Sequence, residues 1–370
     1  MHNLLDSITD VLLMGPGPSA VHPEVYKALA RPTLGHLDSE FIAIMDQTKE
    51  HMRWLMNTKN ALTFPISGTG SAGMETCFVN LVEPGDSVLV LVNGVFGKRM
   101  VEVASRLGAQ VDTVDAMWGM PIDIVDVRAA LKKKAYKIVA LVHAETSTGV
   151  LNPVQEIAAE VGRTEALFLL DSVTGLGGIP VKVDEWRVDA FYSGTQKCLS
   201  VPPGLAPASL SARAHEVLNA RKKPVPNWYL DVSLLTSYWE GAKRAYHHTA
   251  PINMIYGLYQ GLLLLRAEGQ EAAFARHREA HLQFVEGIEE MGLSMLVPKE
   301  SRLPMLNAVV VPEGVDEAAV RARLRQEYHI EIGAGLGPLA GAIWRVGLMG
   351  YTARPENVTR VLNALRGCLS

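Results

Sequence analysis

Cysteine is scarce. Cys77, Cys198 and Cys368 are the three in the chain and show no paired spacing, which excludes a disulfide framework and suits a reducing compartment. Basic residues do not cluster: Lys132-Lys133-Lys134 is too short for a nucleic-acid patch and reads as a solvated helix face, and the formal charge is −4, so neither nucleic acid nor an anionic membrane is an expected partner. The apolar stretch around Leu262-Leu263-Leu264-Leu265 is far short of a membrane span. Met1 to Met14 carries Asp6 and Asp10 and no basic n-region, so no signal peptide is expected. The end, Gly367-Cys368-Leu369-Ser370, is neither a prenylation box nor a peroxisomal signal. There is no H-E-x-x-H, and the neighbouring His247 and His248 point apart, so no metal is expected. No internal repeat or low-complexity tract is visible. A cytoplasmic globular protein is the expectation.

What is present is organised. With 370 residues, 48% apolar and 20% charged, the chain has the composition of a globular protein and length for two to three domains. From about residue 60 to 210, short unalternating apolar runs (Ser87 to Val92, Ile138 to His143, Ala166 to Leu170, Val188 to Phe191) are separated by loops and helical segments such as Asp123 to Tyr136. Such runs suit strands buried on both faces, and the alternation indicates a doubly wound, mostly parallel sheet. Asn152 and Pro153 supply an N-cap and a first-turn proline for a helix that stops at Gly162. Residues 222–250 show little periodicity, whereas 252–292 are strongly helical. Strands at Leu306 to Val311 and Ile343 to Gly347 then alternate with helices at Asp316 to Tyr328 and Pro355 to Leu365. The expected division is an arm over 1–20, a large domain over 21–260 and a small C-terminal α/β domain over 261–370.

Asp171 and Lys197 each stand just past the carboxyl end of an expected core strand. A right-handed crossover puts both on one sheet edge, where open α/β sheets bind ligands. Two readings fit the pair. One is a buried ion pair; the other is the amine and the acid that pyridoxal phosphate requires for its Schiff base and its pyridinium nitrogen.

Other stretches converge on that edge. Gly68-Thr69-Gly70-Ser71-Ala72-Gly73 opens a helix with small residues, which favours an anion at the free N–H groups. It also matches the dinucleotide fingerprint, but Glu83 and Asp86 fall too early to be the ribose acid, so a single phosphate suits it better. Phe96, in the loop after the Ser87 to Val92 strand, is a candidate ring-stacking residue or an ordinary core residue. Gly15-Pro16-Gly17-Pro18 is either a plain turn or backbone that approaches a ligand. Arg345 lies inside an apolar strand and needs an anion, supplied by a substrate carboxylate or by a structural Asp or Glu.

Taken together these pieces resemble the class V aminotransferases of the fold-type I pyridoxal-phosphate superfamily, and most of all the alanine–glyoxylate and serine–glyoxylate (serine–pyruvate) group. The resemblance runs through Gly15-Pro16-Gly17-Pro18, Ser67-Gly68-Thr69-Gly70, Thr146-Ser147-Thr148-Gly149-Val150, Asp171-Ser172-Val173, Ser193-Gly194-Thr195-Gln196-Lys197, Tyr246-His247-His248-Thr249 and Arg345-Val346-Gly347-Leu348-Met349-Gly350, in the family order, over about residues 11–366. It implies pyridoxal 5'-phosphate as cofactor, with Lys197 as Schiff-base lysine and proton shuttle and Asp171 at the pyridine nitrogen. Val173 and Phe96 pack on the ring, Thr69, Gly70, Ser71 and Gln196 hold the phosphate, and Thr146 lies near the phenolic oxygen and the substrate. Arg345 binds the substrate carboxylate, with Gly17 beside the substrate. Tyr246 and Thr249 reach the phosphate of a second subunit, so a homodimer with composite sites is implied, acting on small amino acids and 2-oxo acids. Phe96 stands where the animal enzymes often have Trp, and Ser71 where they have His; both leave the amino donor open. A desulfurase-like enzyme would need a nucleophilic cysteine on a mobile loop, which neither Cys77 nor Cys198 matches. A nicotinamide oxidoreductase leaves Lys197 and Asp171 unexplained, and a structural subunit on this fold has no use for the lysine.

Overall fold

The computed structural model describes residues 3–241 and 243–370. Its centre is a seven-stranded sheet. In chain order its strands are β1 (Leu62–Ser67), β2 (Ser87–Val92), β3 (Gln110–Asp115), β4 (Ile138–Val142), β5 (Leu167–Asp171), β6 (Ala190–Tyr192) and β7 (Leu205–Leu210). They lie side by side as β1-β7-β6-β5-β4-β2-β3. The pairings from β3 through β2, β4 and β5 to β6 are parallel, and β7 runs against both of its neighbours. The runs read as doubly buried are so: every residue of β4 and β5 is buried. This is the mostly parallel α/β sheet that the sequence leads one to expect.

Several boundaries move from their expected places. The strand expected to run to His143 ends at Val142, and that expected over Val188 to Phe191 is Ala190–Tyr192. Asn152 does not cap the helix that comes after it; the cap position is Pro153. The Asn152 side chain instead bonds Asn93, the Ile122 amide and the Val142 carbonyl, so a buried tertiary network outcompetes the local cap. Gly162 does end the helix. The loop expected over 144–149 begins as a small hairpin, Ala144–Glu145 pairing with Val150–Leu151. Among the described residues of 222–250 there is one short helix, Val232–Trp239, capped by the Asp231 side chain at the Ser233 amide; it buries Val232, Leu235, Tyr238 and Trp239 and exposes Ser233 and Ser237, over too few turns to stand out as a period.

Helices cover both faces of the sheet. Two matter for the site: α1 (Gly70–Leu81), after β1, and α2 (Val95–Arg106), after β2. A Cβ on Gly73 would lie 2.9 Å from the Ala206 side chain and 3.0 Å from the Tyr192 side chain. The third glycine of the Gly68–Gly73 string therefore serves close docking of α1 on β6 and β7, a packing role that needs no nucleotide.

The helical stretch is two helices, Ile252–Glu268 and Gln270–Glu290, broken at Gly269. A second sheet pairs Leu306–Val310 and Gly333–Ala334 with Ile343–Gly347. The apolar residues form a large core running from Val25 to Ala273 and a second one built from Met14 and residues between Ala280 and Cys368. Near the N-terminus, Leu12 and Leu13 pair in parallel with Ile330 and Glu331. The segment holding Gly15 to Pro18 is thereby strung between the second core and the large sheet, since Ser19 donates to the carbonyls of Gln196 and Lys197.

Candidate active site

The carboxyl ends of β4, β5 and β6 lie level, with Val142 beside Asp171 and Asp171 beside Tyr192 in register. A cavity of about 200 Å³ opens there, lined by Gly70, Ser71, Met74, Phe96, Arg99, Val142, Ala144, Thr146, Asp171, Val173, Thr174, Tyr192, Gln196 and Lys197. Of the residues singled out from sequence, Gly70, Ser71, Phe96, Thr146, Asp171, Val173, Gln196 and Lys197 meet on this one wall.

Asp171 and Lys197 share the cavity without forming an ion pair; among the described residues no salt bridge joins them. The Lys197 amine donates to the Pro16 carbonyl. It is 7% exposed, and burial lowers its pKa to about 8, with Arg345 nearby acting the same way and Asp171 opposing. Burial likewise raises the Asp171 carboxyl to about 6, against the pull of Tyr192 and of the Val173 amide, which donates at 2.8 Å. The Tyr192 hydroxyl, buried beside the carboxylate, is the larger of these two pulls, and its own pKa is pushed well up by burial and by Asp171. Burial thus makes the amine easier to deprotonate and leaves a carboxylate that would gain from a cationic partner.

Gly17 explains the apposition of Pro16 to Lys197. Its φ of +103 is glycine territory, and a Cβ there would strike the lysine's Nζ, Cε and Cδ. The helix α1 begins at the cavity with Thr69 as an N-cap that makes no side-chain hydrogen bond. The first amides of a helix have no intrahelical acceptor and face the positive end of its dipole. A Cβ on Gly70 would lie 3.2 Å from Val173 Cγ2, so the helix start is pressed against the floor of the cavity. The side-chain oxygen of Gln196 is buried and unpaired. Thr69 itself is exposed.

Arg345 is 6% exposed in the strand Ile343–Gly347. No carboxylate lies within ion-pair distance among the described residues. Its Nε donates to Ala334 O at 2.6 Å and its Nη1 to Thr146 O at 3.0 Å. The one carboxylate whose charge reaches it, Glu145, lies beyond ion-pair distance and only opposes the effect of burial. Carbonyl dipoles aim the guanidinium without neutralising it, and burial lowers its pKa to about 10, so a cation is held at the site.

Tyr246 and Thr249 do not enter this chain's cavity. Tyr246 is 61% exposed, and its hydroxyl lies 3.5 Å from that of Thr249. The segment is tied to the turn between β1 and α1, since His248 Nε2 and Ser67 Oγ are 2.7 Å apart.

Sequence reasoning missed Arg99, Tyr192 and Glu145. Arg99 sits one helical turn beyond Phe96 with its guanidinium 4.9 Å from the ring centroid; spacing on α2 was the available signal. Tyr192 closes β6, and Glu145 precedes Thr146 directly. Cys77 and Cys198 are buried and their thiols are pushed up by desolvation, Cys198 to about 12, so neither is a poised nucleophile. Among the described residues no cluster of His, Cys, Asp or Glu could hold a metal, and no helix is long and apolar enough to cross a membrane.

Known proteins are similar to this chain over nearly its whole length. The chain is 40% identical over 375 residues to the (S)-ureidoglycine–glyoxylate transaminase of Bacillus subtilis (strain 168), covering 96% of this chain and 90% of the relative. It is 38% identical over 366 residues to the alanine–glyoxylate aminotransferase of Rattus norvegicus, covering 98% of this chain and 88% of that one. The crystal structure of the alanine–glyoxylate aminotransferase from Nostoc sp. superposes with a TM-score of 0.96 at 46% identity, over 98% of this chain and 96% of that one. The family model described as "Aminotransferase class-V" matches residues 20–356, and with relatives this similar over nearly their whole length the chain belongs to the class V aminotransferases.

Proposed function

We propose that this enzyme moves an amino group from a small L-amino acid, alanine or serine, to glyoxylate or pyruvate by ping-pong transamination with pyridoxal 5'-phosphate. The single observation that carries the reading is Arg345: a buried guanidinium without a carboxylate partner, held beside the same cavity as Lys197 and Asp171. A substrate carboxylate would supply the missing anion through a bidentate contact.

The residues fit the cofactor. The start of α1 with Thr69, Gly70 and Ser71, together with Gln196, would hold the phosphate; Phe96 and Val173 would flank the ring; Asp171 would take the pyridine nitrogen, and Thr146 would sit near the phenolic oxygen. The buried, unpaired side-chain oxygen of Gln196 supports a polar ligand in the cavity. When bound, pyridoxal phosphate supplies an electron sink for the negative charge that develops at the substrate α-carbon. The protein's part is then proton handling and orientation. Lys197, buried at the cavity with its pKa lowered to about 8, would supply the amine that holds the group and, in its neutral form, a base for the proton at the substrate α-carbon. Asp171 would supply the anion that favours the protonated form of the group's ring nitrogen. Arg345 and Gly17 border the substrate and fix which face of the α-carbon meets the lysine.

We further propose a homodimer in which Tyr246 and Thr249 of one subunit complete the phosphate site of the other; their exposure in a single chain supports this. The division into an arm over 1–20, a large domain over 21–260 and a small domain over 261–370 is proposed with it, supported by the two apolar cores. The test is a donor–acceptor panel with purified enzyme: alanine, serine and, from the name of the Bacillus subtilis relative, (S)-ureidoglycine as donors, against glyoxylate and pyruvate. Turnover with none of these pairs would overturn the substrate assignment.

A further inference from the structure

Glu145 is fully buried between the cavity and the start of α2, and no Lys or Arg pairs with it among the described residues. Its carboxylate is satisfied by donors instead. Oε1 accepts from the Ser147 amide at 3.1 Å and the Ser147 hydroxyl at 2.6 Å; Oε2 accepts from the amides of Phe96 at 3.2 Å and Gly97 at 3.4 Å. The Ser147 hydroxyl in turn accepts from the Val95 amide at 2.9 Å. The first three amides of α2 are therefore capped from the neighbouring strand's loop, and Gly94, the residue before the helix, makes no side-chain cap of its own. A Cβ on Gly94 would collide with the Glu145 carboxyl and the Ser147 hydroxyl, so the glycine admits this contact by bulk alone.

The two pieces clamped together each carry part of the site. Phe96 and Arg99, on the first turns of α2, line the cavity, and so does Thr146, whose carbonyl holds Arg345. We propose that Glu145 is a positioning residue, whose carboxylate locks the 144–149 hairpin onto the start of α2 and thereby sets both the Phe96 wall of the cofactor site and the orientation of the Arg345 fork. The inference rests on the pyridoxal-phosphate reading of the site. A carboxylate is required because all four contacts are donors; a glutamine would turn its own NH₂ toward N–H groups.

The experiment compares wild type, Glu145→Gln, Gly94→Ala and Ser147→Ala by circular dichroism, by titration of the apo-enzyme with pyridoxal phosphate, and by steady-state kinetics with alanine and glyoxylate. In folded Glu145→Gln we expect cofactor affinity to fall roughly tenfold or more and KM to rise for both carboxylate substrates, with a smaller change in kcat, since misplacement of binding groups by about 1 Å has effects of this size. Gly94→Ala, which removes no polar group but drives the Glu145 carboxyl and the Ser147 hydroxyl from their seats, should shift the same constants in the same direction. The cofactor-affinity loss should be non-additive with Phe96→Ala if it acts through that ring. Folded Glu145→Gln with affinity and both KM values within twofold of wild type would overturn the proposal. If Glu145→Gln does not fold, unchanged affinity and KM in Ser147→Ala would do the same. A wild-type protein that takes up no pyridoxal phosphate would instead overturn the functional reading, and this inference with it.

Discussion

Arg345 and Thr146 stand 199 positions apart in sequence and are joined by a hydrogen bond of 3.0 Å from Nη1 to the backbone carbonyl. The bond ties the strand Ile343–Gly347 to the hairpin after β4, and so brings the Arg345 cation to the sheet edge that carries Asp171 and Lys197.

Replacing Arg345 by lysine should raise KM for both amino donor and keto acid. An ammonium cannot keep the two carbonyl contacts of the fork and still meet a carboxylate through two parallel bonds. Loss of a charge-assisted bond costs about 1.5–3 kcal/mol, or roughly ten- to hundredfold in KM. Steady-state kinetics with each substrate varied in turn checks this; unchanged KM for both would remove Arg345 from the site.

Lys197→Ala should fold, bind pyridoxal phosphate more weakly and lose transamination by at least about 10²–10⁴-fold, the value of general acid–base catalysis alone. Its apo form should be no less stable than wild type at pH 7, because a buried amine with its pKa lowered to about 8 is a cost to folding while protonated. That cost is complete below pH 8, where both folded and unfolded chains carry the proton, and fades as pH rises toward the unfolded lysine's ordinary value of about 10.4. The stability gap between variant and wild type should therefore close across that alkaline window in thermal melts.

Cofactor uptake by the apo-enzyme should depend on pH at two points. Asp171, raised to about 6, is protonated below that pH and offers a pyridinium no anion. Lys197, lowered to about 8, gains nucleophilicity as it deprotonates. The rate of uptake should rise through pH 6, rise again through pH 8 and then level. Asp171→Asn should lose the lower step; a profile that retains it would assign that step to another group.

Gly17→Ala should impair the site more than the fold. The added methyl meets Lys197, and φ of +103 disfavours any L side chain, a local strain of about 1–3 kcal/mol. We expect reduced cofactor affinity and kcat in a protein that still melts cooperatively. Wild-type kinetics would show that the lysine does not need the position it holds against Pro16.

Subunit exchange tests the composite site. Mixing Lys197→Ala with Tyr246→Phe chains gives hybrids in which one site carries both lesions and the other neither, so activity should exceed the sum of the parents. A fully active monomer at low concentration would refute the arrangement.

Much of the fold and the site is legible in the chain itself. Doubly buried strands have no alternation to hide, so apolar runs reveal β2, β4 and β5, and the residues bordering such runs include Asp171 and Lys197. Small residues at a helix start are equally local, and they mark Gly70 and Ser71. The sequence by itself therefore determined the sheet class, the ligand edge and the chemistry available there. Only the tertiary structure decided how those groups are wired. It gave Asn152 to a buried network instead of the helix cap, aimed the Lys197 amine at Pro16 rather than at Asp171, left Arg345 without a carboxylate, and used Glu145 to cap a helix on another strand. Each of these depends on partners far away in sequence. A buried polar group takes whichever partner the packing brings within about 3 Å, and no local pattern encodes that distance.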